Sequence, residues 1–269
     1  MISSAGGAAR PQRGIHLNNC LKGVYNCIAT MMVHTRELFG LIITIDGPAG
    51  SGKSAAAVLL ARRLSFAHLD TGAMYRTVAL AAMQCGAIED NAAMAKVARD
   101  MRLAFDATTE PARVLLNGHD VTDAIRTREV TQATRRAADN PEVRSELVRR
   151  QQRLAEKLGN VVSEGRDQGS VAFPDAEFKF FLDADVRVRA RRRQQQLAAA
   201  GMAADVADIL RDMQQRDRED QSRPVGPLVK TADAIVVDGT DLTLEQVVDR
   251  MASLVHAGKP IGAAGEGRR

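Results

Sequence analysis

Tryptophan is absent from this chain of 269 residues, and aromatic side chains make up 3% of it, with two tyrosines and seven phenylalanines. So sparse a set offers no platform on which the bases of a single-stranded nucleic acid could stack. Cysteine is scarce as well. Cys20, Cys27 and Cys85 are odd in number and lack metal-ligand spacing, which argues against a disulfide framework and for a reducing compartment. No apolar run reaches the roughly 20 residues needed to span a bilayer. A cytoplasmic protein without a membrane partner is therefore expected. No internal repeat is evident. What the chain does have is 45% hydrophobic and 26% charged residues, an ordinary globular balance, in a length that suits one large domain or one domain with an insertion. The net charge of +4 is modest, but arginine dominates late in the chain. Clustered arginine suits bidentate recognition of phosphate on a small ligand or on a polynucleotide alike, so charge alone leaves the ligand's size open.

The most informative stretch is LIITIDGPAGSGKS, residues 41–54. Its apolar, β-branched start reads as a parallel strand buried on both faces. Gly47-Pro48-Ala49-Gly50-Ser51-Gly52-Lys53-Ser54 follows at once and satisfies G-x-x-x-x-G-K-[ST] at every fixed position, the pattern of a phosphate-binding P-loop. A polyphosphate needs a concave ring of backbone N–H groups, and glycine lets the chain wrap that closely. The helix beginning at Ser54 points its positive end at the phosphates. Lys53 would bridge the β- and γ-phosphates, and the Ser54 hydroxyl would ligate Mg²⁺.

Residues 1–38 form an acid-poor, basic leader with Arg10, Arg13, Lys22 and Arg36. It is expected to be poorly ordered, and reads either as an organellar transit peptide or as a start assigned upstream of Met31-Met32. Beyond the P-loop, a brief strand ends at Asp70, and Thr71 is expected to cap a helix running to Cys85. Period-two segments over 101–105, 113–116 and 119–121, with Asn117-Gly118 as a tight turn, predict a small antiparallel sheet. Helices are predicted over 126–140, 141–158, 185–200, 203–220 and 244–255. Strands are predicted at 161–163, 178–182 and 234–237. Strands alternating with helices around a P-loop imply an α/β fold, a parallel sheet with helices on both faces. Asp46, Asp70, Glu164 and Asp183 should then share the rim at the strands' carboxyl ends, where ligands gather.

Neither the Asn-Lys-x-Asp guanine clamp of regulatory GTPases nor the Leu-Ser-Gly-Gly of transporter ATPases occurs. Instead, arginine-bearing segments fall on the rim: LDTGAMYR at 69–76, EGRDQGSVAFPDA at 164–176 and RDREDQSRPVGPL at 216–228. Separated basic sites facing a triphosphate loop suggest a second phosphorylated substrate. In this order after GPAGSGKS, these motifs resemble those of bacterial cytidylate kinases, nucleoside monophosphate kinases, in register from about Ile42 to Val255.

The resemblance implies a kinase domain over 39–257, with a monophosphate-binding insertion over about 90–160 that carries the small sheet, an Arg-rich lid over about 185–225 and a disordered tail over 258–269. It implies transfer from ATP to CMP and dCMP with Mg²⁺, by a monomer that binds no nucleic acid. Lys53, Arg166 and Arg223 would be the catalytic cations, and residues 47–54 with Ala55 would bind ATP. Thr71, Arg76, Arg144, Arg166, Asp167, Arg216, Asp220 and Arg223 would hold the monophosphate acceptor. Arg187, Arg189, Arg191, Arg192 and Arg193 resemble the lid, though each alone also reads as part of a solvated helix face. Ala55 replaces a hydroxyl residue common in the family, implying a weaker grip on ATP. Arg135 replaces a serine near the base, leaving UMP as an alternative acceptor. AMP kinase activity and a basic nucleic-acid-binding P-loop protein are the remaining competitors.

Overall fold

The computed structural model describes residues 40–106, 112–199 and 201–258. The expected leader and residues 259–269 of the expected tail lie outside them. Five strands form the main sheet: β1 (Ile42–Asp46), β2 (Ala67–Asp70), β6 (Val161–Gly165), β7 (Phe178–Asp183) and β8 (Ile235–Asp238). All neighbours pair in parallel, in the order β2-β6-β1-β7-β8, with Asp46 opposite Gly165 and Asp70 opposite Glu164. Parallel pairing with an aligned register puts the carboxyl ends, and the expected acids, along one rim.

Alternation along β1 divides the labour between its faces. Ile43 and Ile45 join Val162, Phe180, Leu182 and Val237 in a core packed against α1 (Lys53–Leu64) and α8 (Leu244–His256) through Ala56, Leu60, Val248 and Met251. Burying each large side chain here contributes about 1.5–3 kcal/mol. Thr44 and Asp46, on the other face, lie against a single π turn, Gln168–Ala172. A second core unites α2 (Thr71–Gln84), α3 (Asn91–Asp100), α4 (Arg128–Asp139) and α5 (Pro141–Leu158) with the small sheet. That sheet pairs β3 (Leu103–Asp106), β4 (Arg113–Leu116) and β5 (His119–Asp120) antiparallel. Its turn has Asn117 at φ 52° and Gly118 at φ 90°, the pair of left-handed residues that a type I′ hairpin needs. The remaining helices are α6 (Val186–Ala199) and α7 (Val206–Ser222).

Capping chemistry corrects some expected boundaries. Asp70, not Thr71, caps α2: its carboxylate accepts the Ala73 N–H at 2.8 Å, and Thr71 is the first helical residue. Thr127, extended at φ −63° and ψ 161°, starts α4 two residues later than expected, after a 3₁₀ turn over Ala124–Arg126. Asp205 likewise delays α7 to Val206. Each cap contributes about 1 kcal/mol, enough to override the apolar pattern at a helix end.

Phe180 is 1% exposed at the centre of the sheet. Phe180→Ala should destabilise the fold by about 3–5 kcal/mol, read as a lowered urea midpoint with an unchanged slope; a loss under about 1 kcal/mol would refute its place in the core.

Candidate active site

The loop after β1 presents backbone, not side chains. Gly52 occupies the N-cap of α1 in the left-handed conformation, φ 91°, with no side chain to cap the helix and no acid in the first turn. No capping side chain or first-turn acid therefore competes for the N–H groups of the helix start, which suits an anion. Lys53 is 6% exposed, and its Nζ donates to the Pro48 carbonyl at 3.1 Å, folding over the loop. Burial, and after it the Arg166 and Arg216 charges, push this amine down to about 7, while Glu164 and Asp220 pull the other way. The Ser54 hydroxyl donates to Glu164 Oε1 at 2.9 Å across the rim from β6. Ala55 is exposed.

Arginines of α2, of α7 and its C-terminal end, and of the segment after β6 build the opposite wall. Asp220 accepts from Arg166 Nε at 2.7 Å and from Arg223 at 2.8 Å, and Arg223 reaches Asp139 at 2.7 Å. Burial raises Asp220, but Arg166, Arg223 and Arg216 together hold it below the usual carboxylate range. Burial and the adjacent Arg166 push Arg216 down to about 10. Among the described residues Arg216 has no hydrogen-bond or ion-pair partner. Beside this group opens a cleft of about 380 Å³ lined by Thr131, Arg135, Asp139, Arg216, Asp220 and Arg223, among others. Arg76, from α2, donates to Thr131 Oγ1 at 2.7 Å and to the Ile125 carbonyl at 3.3 Å beside it.

Deeper lies a buried ion pair, Arg144 with Asp167, whose side chains are 4% and 5% exposed. Arg144 also donates to the Ala138 carbonyl at 2.9 Å and lies 5.5 Å over the Tyr75 ring, so α5 is tied to α4 and α2 through one guanidinium. Gly226 is packed so tightly on this pair that a Cβ there would fall 1.9 Å from Arg144. Burial pushes the Tyr75 phenol up. Arg144 therefore pairs with neither Glu142, which serves Arg99, nor Glu146, which serves Arg149 and Arg150.

The sequence-derived candidates thus divide. Lys53, Arg166, Arg216 and Asp220 act on one another electrostatically, with Arg223 and Arg76 on the same wall and Arg144–Asp167 behind it. Thr71 stands back from the cleft, 2% exposed, with its hydroxyl donating to the Glu164 carbonyl at 2.7 Å. Arg135 pairs with Glu219 at 2.9 Å at the cleft's edge. Of the five arginines expected to belong to a lid, Arg187, Arg191 and Arg193 are exposed. Arg189 is instead buried, donating to the P-loop carbonyl of Ala49 at 2.8 Å and to Asp217 at 2.7 Å. Arg192 is bound to the carbonyls of Gly239, Thr240 and Leu242. Sequence reasoning did not single out Glu164 as a partner of Ser54, nor Arg189 as a support of the P-loop. The strand-end position of Glu164 was a signal for the first; nothing distinguished Arg189 from its neighbours.

Comparison with known proteins finds relatives over most of this chain. The family model described as cytidylate kinase matches residues 43–257. A cytidylate kinase of Geobacter sulfurreducens is 46% identical over 218 residues, 81% of this chain and 93% of the relative. Those of Citrifermentans bemidjiense and Azotobacter vinelandii are 45% and 44% identical, over 80% and 81% of this chain and 93% and 96% of theirs.

The depressed Lys53 amine has a consequence for stability. The unfolded chain holds this proton up to about 10.5 while the folded chain releases it near 7, so across that window the unfolded state binds more protons and stability rises with pH, by at most about 1.4 kcal/mol per unit. Lys53→Met removes the buried charge. Its stability advantage over the wild type in urea titrations should be larger at pH 7 than at pH 9; an equal difference at both would show that Lys53 is not depressed.

Proposed function

The chain belongs to the cytidylate kinase family, and from that premise we propose that it transfers the γ-phosphoryl group of ATP to CMP and dCMP, giving CDP and dCDP, with Mg²⁺. The observation that carries the reading is the crowding of cations around Asp220 and Glu164: burial with the Arg166 and Arg216 charges depresses Lys53, and burial with the Arg166 charge depresses Arg216. Such an array is unfavourable until anions neutralise it, and two phosphorylated substrates supply that charge. The P-loop amides and Lys53 hold the donor's phosphates. The acceptor's phosphate lies between Arg76, Arg166 and Arg223, beside the cleft. Being already anionic, that acceptor needs no general base, and the site offers cations instead of a histidine. Transfer then depends on bringing two repelling phosphates into line and on stabilising the charge spread over the transferred group.

Asp167 and Arg144, by their correspondence to the family's motifs, would meet the acceptor's base, the carboxylate accepting from an exocyclic amine. Asp220 and Arg216 take the sugar and phosphate. The helices α6 and α7 serve as the lid, excluding water from the transfer. Magnesium, when bound, supplies further neutralisation across the phosphates. The Ser54 hydroxyl beside the Glu164 carboxylate is a hard-oxygen pair suited to it. Among the described residues no group of three or more His, Cys, Asp or Glu could hold a metal.

In a coupled assay of ADP release with Mg²⁺ and ATP, CMP and dCMP should be the preferred acceptors over UMP and AMP. Arg166→Ala should cut kcat by about 10²–10³-fold. No diphosphate from any nucleoside monophosphate would overturn the reading. Asp167→Asn should lower the preference for CMP over UMP; an untouched preference would remove Asp167 from base recognition.

A further inference from the structure

One buried carboxylate takes no part in the steps above. Asp46 ends β1 immediately before the P-loop and is 5% exposed. Its Oδ1 accepts the Gln168 N–H at 2.9 Å and its Oδ2 accepts the Gly169 N–H at 2.7 Å. Those amides open the π turn Gln168–Ala172. The later N–H groups of that turn and its end bond within it, Val171 and Ala172 to the Asp167 carbonyl and Phe173 to that of Gln168. Gln168 and Gly169 have no such partner within the turn, and a residue 122 positions away supplies both acceptors at once. Asp46 thus caps this turn from another strand. Other contacts tighten the same join: Ser163 Oγ donates to Gln168 Oε1 at 2.7 Å, and a Cβ on Gly169 would lie 3.0 Å from Thr44 Oγ1.

The turn is headed by Arg166 and Asp167, the residues assigned above to the acceptor's phosphate and base. We propose that Asp46 is a positioning residue for the acceptor: its two-pronged grip on the turn fixes Asp167, and through it Arg144, relative to the donor loop that begins one residue later. The inference rests on the kinase reading for the roles of Arg166 and Asp167, but the grip itself is independent of that reading. One carboxylate therefore sets the registry of the two substrates. Without it, the turn can shift against β1 while the P-loop keeps its own internal bonds and its support from Arg189. Loss of Asp46 should weaken acceptor binding and base selection and spare the donor.

Burial, opposed by the two backbone N–H groups, raises this carboxyl to about 6. The charged groups facing it are Asp167, which raises it further, and Lys53, which lowers it; Lys179 on β7 nearby is committed to Asp233 at 2.6 Å. Protonation turns one accepting oxygen into a donor and forfeits one of the two bonds.

The test is Asp46→Asn, which keeps the shape but sets an NH₂ against one of the two amides. The KM for CMP should rise about tenfold or more, the KM for ATP should stay within about twofold, and the preference for CMP over UMP should shrink. The gap in kcat/KM for CMP between wild type and variant should narrow from pH 7.5 to pH 5.5, because the wild type then loses the same bond; titration of the CMP phosphate is common to both proteins and cancels. Equal rises in both KM values, no rise in either, or a gap constant with pH would each overturn the proposal. Should the variant fail to fold, the wild type gives the answer by hydrogen–deuterium exchange corrected for intrinsic rates. Over the same pH range, protection of residues 168–172 should fall relative to residues 53–64, and unchanged relative protection would overturn it. A wild type that makes no diphosphate would overturn the kinase reading, and the exchange measurement would still decide the role of Asp46.

Discussion

Like charges held close together at the edge of a dry sheet are the constraint to which the remainder of this molecule answers. Burial lowers the proton affinity of Lys53 and of Arg216, and neighbouring cations lower it further, Arg166 and Arg216 acting on Lys53 and Arg166 acting on Arg216. Such a cluster persists only where the scaffold compels it. Here the compulsion comes from β1, β6 and the helices that cross over them, which bury large apolar side chains on one side and spend little of that stability on the polar rim. Asp220 and Glu164 offset the repulsion only in part, so the resting protein is poised for negative charge. Repulsion among the cations and attraction to phosphate are one property seen without and with substrate.

The arginines show how position decides use. Arg189 and Arg192 belong to the same helix as Arg187, Arg191 and Arg193, with the same chemistry and nearly the same neighbours in sequence. Arg189 is buried because its turn of α6 faces the P-loop, where its guanidinium donates to the Ala49 carbonyl. The Asp217 carboxylate of α7 completes the arrangement. A guanidinium is suited to this because it can satisfy several acceptors in fixed directions at once. Arg192 does the same for the loop before α8. Of the run, the residues facing solvent remain the ones available to a lid.

How much of this was legible beforehand follows the range of the interactions. The P-loop, the Asn117-Gly118 hairpin and the helix begun by Pro141 rest on contacts within a few residues, and their signals survive in the linear order; the parallel strands pair across more distant positions but show as apolar runs. Asp70 and Thr71 both suit the cap by residue type; the Asp70 carboxylate accepts the Ala73 N–H, while the Thr71 hydroxyl is committed to the Glu164 carbonyl, a tertiary contact that the linear order does not show. Arg144 and Asp167 were recognisable by resemblance to a family, whereas their mutual ion pair spans 23 positions and could not be inferred from the nearby Glu142 and Glu146, which offered nearer and wrong partners.

The same reasoning explains why the two halves of the site need a physical link in addition to their own chemistry. The P-loop is held by its glycines, by Lys53 folding back on Pro48 and by Arg189 from outside. The acceptor wall is held by Asp220, Asp139 and the buried Arg144–Asp167 pair. Arg189 joins the two sets by bonding both Ala49 and Asp217 of α7, and Ser54 joins them by bonding Glu164, but neither contact is made by the turn that follows Asp167. In-line transfer tolerates little error in the distance between the two sets. Strand pairing of β1 with β6 sets it coarsely, through Asp46 opposite Gly165; the side chain of Asp46 reaches past that pairing to the turn beyond. A backbone ladder can align two strands, but it ends where the loops begin. A side chain at the last rung is the shortest means of carrying the alignment into both.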